Sequence, residues 1–489
     1  MLMLAEIFID TTATVGRLDR RVYGQFVEHL GRCIYGGIWV GEESRIPNIK
    51  GFRKDVLDAV RALRPPIIRW PGGNFSSGYH WEDGIGPRDK RPRKFDMAWG
   101  AEEPNEFGTD EYIEWCRMVD AEPFIVVNAG NGTPEEAAKW VEYCNSSGDT
   151  QYASLRKKYG HPEPYQVRLW GIGNELYGRW QIGFCIDGKE CARRTIEFAN
   201  QMRKVDPNIE LIAVGCEDPE WNLEMVKLAG NYFDYLSIHM YVNGSKPYRE
   251  LVAIPRYIER KLRAVYDLVE AIRKRQGIKK KIEIAFDEWN VWYPEAKPPL
   301  HEQVTTVKDA IFTALVLNGL HRLCKEVTIA CFAQTVNVLP LISTRDNGVM
   351  FVNPQYLVFK MYGNNTGDQV LKVVTYSQSY YSKELDSYVS FIDATATASR
   401  DKRTIYLHVV NRHEEETFKC RVALKGWRPL SVKWLRVSGD SLNACNTFDE
   451  PNRVQIEISK KAKVEGDQVV CTLPPHSVNV LILRGTPYK

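Results

Sequence analysis

Periodicity constrains this chain more than any single motif. Through residues 1–340, short apolar runs alternate with amphipathic stretches, a pattern that signals repeated strand–helix units feeding a parallel sheet. The runs predict strands at 22–27, 67–70, 123–128, 167–172, 211–214, 235–239, 282–286 and 328–333. Between them, helices are expected at 55–63, 110–119, 134–144, 191–205, 221–228, 257–275 and 304–320. Thr133-Pro134-Glu135-Glu136 shows the grammar of a helix start, with Thr as cap, Pro in the first turn and acids complementing the dipole. Eight such units point to a (β/α)8 TIM barrel. A doubly wound open sheet differs from it by little more than one strand in the count, so periodicity alone leaves that alternative open.

After residue 370 the texture changes to β-branched and aromatic runs at 388–394, 404–411, 417–424, 432–437, 454–458 and 478–483, the spacing of an all-β sandwich. Residues 5–14 are also strand-like and precede the first barrel strand. The expected division is therefore an N-terminal strand (1–15) joining the sandwich, a catalytic barrel (16–370) and a C-terminal β-sandwich (371–489).

Composition removes several classes of function. Lys plus Arg number 65 against 62 Asp plus Glu, a formal charge of +3, which gives no electrostatic reason to expect nucleic acid as a partner. No apolar run approaches the roughly 18 residues of a membrane span, so no membrane partner is expected. The N-terminus lacks the basic region of a signal peptide, and 11 cysteines form neither a paired framework nor a zinc ribbon. A reducing, cytoplasmic location is the expectation. Five N-x-S/T sequons occur, but the one at Asn74 falls where a glycan would obstruct the site described next.

In a (β/α)8 barrel the chemistry lies at the carboxyl ends of the strands. The residues there form a consistent polar set: Glu28-His29, Arg69 through Asn74, Asn128, Asn174-Glu175, His239 through Tyr241, Asp287 through Asn290, and Gln334. Carboxylates buried without partners are costly, so their recurrence asks for a chemical reason. Glu175 and Glu288 follow strands four and seven, which face each other across the mouth. Two opposed carboxyls are what glycosidic cleavage needs, one to donate a proton and the other to attack or to orient water. Asn174 can donate to a sugar hydroxyl. Trp81, Trp99 and Phe107 are expected to wall the subsite beyond the scissile bond and close the pocket at one end.

Other motifs carry less. Gly171 through Leu176 lacks the third glycine of a dinucleotide fingerprint, no phosphate-binding loop is present, and neither His301-Glu302 nor His413-Glu414 has the second histidine of a metalloprotease helix. Neither a metal nor an organic cofactor is expected. The basic run 273–281 closes a helix, where cations complement the dipole, on the face opposite the site.

Trp70-Pro71-Gly72-Gly73-Asn74-Phe75, Gly173-Asn174-Glu175-Leu176-Tyr177-Gly178 and Asp287-Glu288-Trp289-Asn290-Val291-Trp292 resemble the signature segments of glycoside hydrolase family 51, the α-L-arabinofuranosidases, and the resemblance spans essentially the whole chain. It implies a retaining exo-enzyme with Glu175 as acid/base and Glu288 as nucleophile. It also implies that Glu28, Asn74, Asn174, Tyr241 and Gln334 hold the furanose, joined in the expected substrate-binding set by Trp99, His239 and Arg69, and that the protein is a homo-oligomer, often a hexamer in the family. Another activity of the same clan, such as an endo-glucanase or a β-xylosidase, and a catalytically silent carbohydrate-binding protein remain as alternatives.

Overall fold

A computed structural model describes residues 3–488. Eight parallel strands, Gly24–Phe26, Ile67–Trp70, Glu122–Val127, Leu169–Ile172, Glu210–Val214, Tyr235–Asn243, Glu283–Trp292 and Val327–Ala333, close into a barrel, the last pairing with the first through Cys331 and Gly24. The open-sheet alternative is thereby removed. Closure depends on small volume at that seam: a β-carbon on Gly24 would lie 2.6 Å from the carbonyl oxygen of Ala330. The first strand is shorter than the apolar run suggests, because Arg20–Tyr23 forms a 3-10 turn capped by the Asp19 side chain.

Amphipathic helices such as Lys54–Leu63, Gly188–Val205 and Ile254–Arg275 wrap the barrel with their apolar faces inward. Besides the single turn Tyr248–Leu251, two helices escape the periodic reading. Gln151–Lys158 is mostly polar, and Pro354–Asn364 is buried on most sides, so neither displays a one-sided stripe.

Ten further strands build a sheet that folds over its own core as a β-sandwich, and the other eight pair off as four two-stranded sheets. The N-terminal strand Met3–Arg17 lies inside that sheet, antiparallel to Gln369–Tyr376 and parallel to Phe418–Lys425. One expected strand is divided. Residues 388–394 separate into Ser387–Ser390, which pairs with Ser379–Ser382 in a hairpin of its own, and Ile392–Ala398, which enters the sandwich. The break falls at Phe391, whose ring packs against Tyr380 and His413. The run at 454–458 is displaced to Ile456–Ser459, and Ala462–Glu465 and Gln468–Leu473 are further strands that the reading missed. Among the described residues, no helix is long and apolar enough to cross a membrane.

Barrel and sandwich are joined by a buried pair of histidines. His321, ending helix Val307–Arg322, places Nε2 2.5 Å from the Tyr23 hydroxyl and Nδ1 3.0 Å from Thr395 Oγ1 on the sandwich, with its ring 4.9 Å from that of His408. Burial keeps both imidazoles neutral, pushing His408 down to about 3 and His321 well below the usual range. In the unfolded chain both would charge near pH 6.5. The folded state binds fewer protons below that pH, so its stability is fullest above pH 6.5 and falls on acidification, by about 1.4 kcal/mol per pH unit for each histidine. Denaturant midpoints measured from pH 7 to pH 4.5 should drop accordingly. His408→Gln should flatten the slope, and an unchanged slope would contradict the assignment.

Candidate active site

The site is built from strand ends upward. Strand two runs into Pro71-Gly72-Gly73-Asn74, where the glycines are packing requirements. A β-carbon on Gly72 would fall 2.6 Å from Glu28 Cγ, and one on Gly73 would fall 2.9 Å from Glu288 Oε1. The backbone thus passes directly against two carboxyl groups. Strand four ends in Gly173-Asn174-Glu175, with Glu175 held in the left-handed region at φ 43°. Such a conformation is disfavoured for a side chain of this size and recurs where geometry serves function.

Strand seven contributes Asp287 and Glu288. In regular strand geometry consecutive side chains face opposite sides. Here the register slips, with Ser237 opposite Ala285 but His239 opposite Glu288. This bulge lets both acids converge on one cation. Arg69, fully buried, reaches Glu288 Oε1 with Nη1 at 2.6 Å, approaches Asp287 Oδ2 with Nε at 3.2 Å, and donates from Nη2 to Asn174 Oδ1 at 2.7 Å. The other carboxylate oxygen of Glu288 accepts from the Tyr241 hydroxyl at 2.7 Å.

Glu175 accepts from Tyr177 at 3.2 Å and lies 3.0 Å from His239 Nδ1. Burial alone would raise its pKa, but the hydrogen bond and charge of His239 hold the carboxyl below the usual range. Burial opposes the imidazolium of His239 too. Glu288, Asp287 and the hydrogen bonds to Asp287 and Glu175 outweigh it, pushing His239 up to about 10. Both shifts favour an ionised Glu175 beside a charged His239 in the free site.

Glu28 behaves differently. Burial, reinforced by the charge of Glu288, pushes it up to about 8, although it accepts from Phe75 N–H and Trp99 Nε1–H at 3.1 Å and from Gln334 Nε2 at 3.0 Å. At neutral pH it is mainly a carboxylic acid. Gln334 Oε1 is buried and has no hydrogen-bond partner among the described residues.

These groups open into a cavity of 640 Å³. Glu28, Asn74, Trp99, Glu175, Tyr241, Glu288 and Gln334 line it, as the strand-end reading expects. Arg69, Asn174 and His239 do not form its wall. Arg69 and His239 are engaged with Glu288, Asp287 and Glu175, while Asn174 accepts from Arg69 and donates to Asn74 Oδ1 at 3.4 Å, so all three help to position the acids and the cavity lining. Trp81 and Phe107, 1% and 0% exposed, are also misplaced by the sequence reading. Trp81 stacks on Trp140 and Phe107 packs edge-on against Trp39, Phe52 and Trp70, in the aromatic core. Asn128 uses its side-chain carbonyl to accept from the N–H groups of Gly130, Asn131 and Gly132, shaping a loop.

Four contributors were missed. Gln181 donates to Asn74 Oδ1. Tyr177 and the exposed Trp180 follow Glu175 on the same loop and line the cavity. His301, 5% exposed at φ 52°, wedges edge-on between Trp99 and Trp292 with ring centroids 5.3 and 5.6 Å away. Tyr177 and Trp180 sit within five residues of Glu175 and could have been read as a loop extension. Gln181 and His301 carry no local signal.

Glu175, His239 and Glu288 are also the one group of potential metal ligands that clusters among the described residues, with ligand atoms within 4.8 Å of one another. Each is already hydrogen-bonded, and Arg69 supplies a cation at 2.6 Å from Glu288, which is the organisation of a proton-sharing set. Hydrolytic activity should persist after exhaustive dialysis against a chelator. Loss restored by one divalent ion would overturn that expectation.

A closed parallel barrel with a carboxyl on strand four opposed to one on strand seven, in a polar cavity at the strand ends, defines a glycoside hydrolase. Family models for the α-L-arabinofuranosidase 1 domain and the α-L-arabinofuranosidase C-terminal domain match residues 59–258 and 287–477. The chain is 34% identical over 435 residues to an intracellular exo-α-(1→5)-L-arabinofuranosidase of Acetivibrio thermocellus, covering 84% of this chain and 86% of that one. It is 36% identical over 440 residues to α-L-arabinofuranosidase C of Emericella nidulans, covering 85% and 86%. The crystal structure of α-L-arabinofuranosidase from Thermotoga maritima in complex with arabinose superposes with a TM-score of 0.91 at 40% identity, covering 98% of this chain and all of that one. A family 51 α-L-arabinofuranosidase from Bifidobacterium longum gives 0.94 at 29% identity, covering 99% and 100%. The chain belongs to glycoside hydrolase family 51, the α-L-arabinofuranosidases.

Proposed function

We propose that this enzyme removes terminal, non-reducing α-L-arabinofuranosyl residues from arabinose-containing oligosaccharides, such as fragments of arabinan or arabinoxylan, with retention of configuration through a covalent glycosyl-enzyme. The observation that carries the mechanism is the carboxyl spacing. One oxygen of Glu175 and one of Glu288 lie within 4.8 Å of each other, a spacing that suits the roughly 5 Å separation of retaining enzymes better than the about 6.5–9.5 Å of inverting ones.

In the first step Glu288 Oε attacks the anomeric carbon as the bond to the leaving oxygen breaks. The proton of the Glu175–His239 pair passes through Glu175 to that oxygen. In the second step Glu175, now a base, takes a proton from water as the water oxygen displaces Glu288. Arg69 and Tyr241 hydrogen-bond the two carboxylate oxygens of Glu288 and orient it for attack. Protonated Glu28, the unpartnered Gln334 Oε1 and Asn74 offer both donors and acceptors to sugar hydroxyls. The indole of Trp99, tied to Glu28, and that of Trp292 wall the pocket. A pocket walled by these two indoles favours a chain end. Relatives described as intracellular exo-enzymes support the same reading and an intracellular location, and the family resemblance supports a homo-oligomer.

Linear and branched arabino-oligosaccharides sampled at early times provide the test. Free arabinose should be the first and dominant product, released faster per accessible group from oligomers than from insoluble polymer. Early release of disaccharides, or preference for xylosides or glucans, would contradict the proposal.

A further inference from the structure

Barrel and sandwich enclose a second cavity of 310 Å³ that shares no lining residue with the catalytic one. Its walls come from helices Ile254–Arg275 and Val307–Arg322 on the barrel side, and from strands Gln369–Tyr376 and Ile392–Ala398 with Arg412 on the sandwich side. Three guanidinium groups, Arg256, Arg322 and Arg412, face two carboxylates, Glu259 and Asp393.

The carboxylates are already committed. Arg322 places Nε 2.9 Å from Glu259 Oε2 and Nη1 3.2 Å from Asp393 Oδ1, and Asn318 donates to Asp393 at 2.7 Å. Arg412 reaches the remaining Asp393 oxygen with Nη2 at 3.4 Å and gives Nη1 to the Val252 carbonyl at 2.8 Å. Its Nε, on a side chain 5% exposed, has no partner among the described residues. Arg256 donates only to the Tyr388 carbonyl, at 3.1 Å, and among the described residues has no carboxylate within ion-pair reach. Burial and then the neighbouring guanidiniums of Arg260, Arg412 and Arg322 hold Arg256 below its usual range, partly offset by Glu259.

The cavity wall therefore has one cation in excess and an idle, buried N–H donor. A buried donor such as Arg412 Nε is ordinarily matched, Arg256 presents an exposed guanidinium without a carboxylate beside it, and guanidinium forks match oxyanions with particular fidelity. We propose that this cavity is a binding site for a tetrahedral oxyanion, a phosphate or phosphomonoester group held between Arg256 and Arg412, with room beside it for a small organic substituent. Such a ligand touches both barrel and sandwich, so binding would brace the contact between them.

The test is thermal unfolding of the full-length protein in increasing inorganic phosphate or glycerol phosphate at constant ionic strength, with chloride as the control and arabinose saturating the catalytic cavity. Saturable stabilisation is expected, about 2 °C at ten times the dissociation constant, with the lower half-saturating concentration distinguishing free phosphate from a phosphomonoester. Arg256 is exposed, so Arg256→Gln should fold and cleave aryl arabinoside normally while losing the phosphate-dependent shift. Equilibrium dialysis with labelled phosphate should give one site per chain in the native protein and none in that variant. A shift equal to that in chloride, or one that survives unchanged in Arg256→Gln, overturns the proposal.

Discussion

Glu288→Ala is expected to cleave an activated aryl α-L-arabinofuranoside on the order of 10⁵-fold more slowly than the native enzyme, the scale of loss when a covalent catalyst is removed. No glycosyl-enzyme can form, so a good leaving group brings no recovery. The substitution also takes from Arg69 and Tyr241 their shared partner. Because Asp287 still faces Arg69 at 3.2 Å, the buried guanidinium keeps one carboxylate and the fold is expected to survive. Glu288→Gln provides the isosteric check, with an equally low rate and a circular dichroism spectrum matching the native one. A loss of less than about tenfold with either variant would remove Glu288 from the reaction.

Glu175→Ala should behave differently with leaving group. With a dinitrophenyl substrate, whose departure needs no proton, the glycosyl-enzyme still forms, and its hydrolysis, which needs a base, becomes limiting. A burst of aryl product followed by a slow steady state is expected. Azide should accelerate that steady state and yield the arabinosyl azide of retained configuration. Oligosaccharides, whose leaving alkoxide needs the proton, should be cut about 10³-fold or more slowly, and azide should not help them. His239→Asn tests the proton's route: it should shift the alkaline limb of the pH profile downward, since His239 at about 10 holds the proton that Glu175 delivers.

The barrel and the line of polar residues at its strand ends were legible because both depend on short-range periodicity. An apolar run followed by a polar residue says where a strand stops, and that alone brings Glu28, Asn74, Glu175, Tyr241, Glu288 and Gln334 to one mouth. The limits of that reasoning are equally specific. Which face a strand-end residue takes depends on register, and the bulge opposite Ser237 and His239, which turns Asp287 and Glu288 together toward Arg69, leaves no mark in composition. Arg69 and His239 end their strands as the cavity residues do, yet turn to the buried acids as counter-charges, and Asn174 is drawn to the guanidinium of Arg69. Aromatic residues are ambiguous in the same way. Trp81, Trp99 and Phe107 lie in one segment, but only Trp99 rides the hairpin formed by Lys94–Asp96 and Ala101–Glu103, whose base is pinned where Glu103 meets His29 at 2.8 Å. His301 arrives from a loop more than 200 residues away from Trp99 in the chain, and sequence spacing cannot announce such a contact.

The most direct measurement is mass spectrometry of the intermediate itself. Glu175→Ala, mixed with the dinitrophenyl arabinofuranoside, quenched in acid and digested, should yield one peptide heavier by an anhydroarabinose unit, with fragmentation placing the ester on Glu288. Label on any other residue, or a full burst with no labelled peptide, would contradict a double displacement through Glu288.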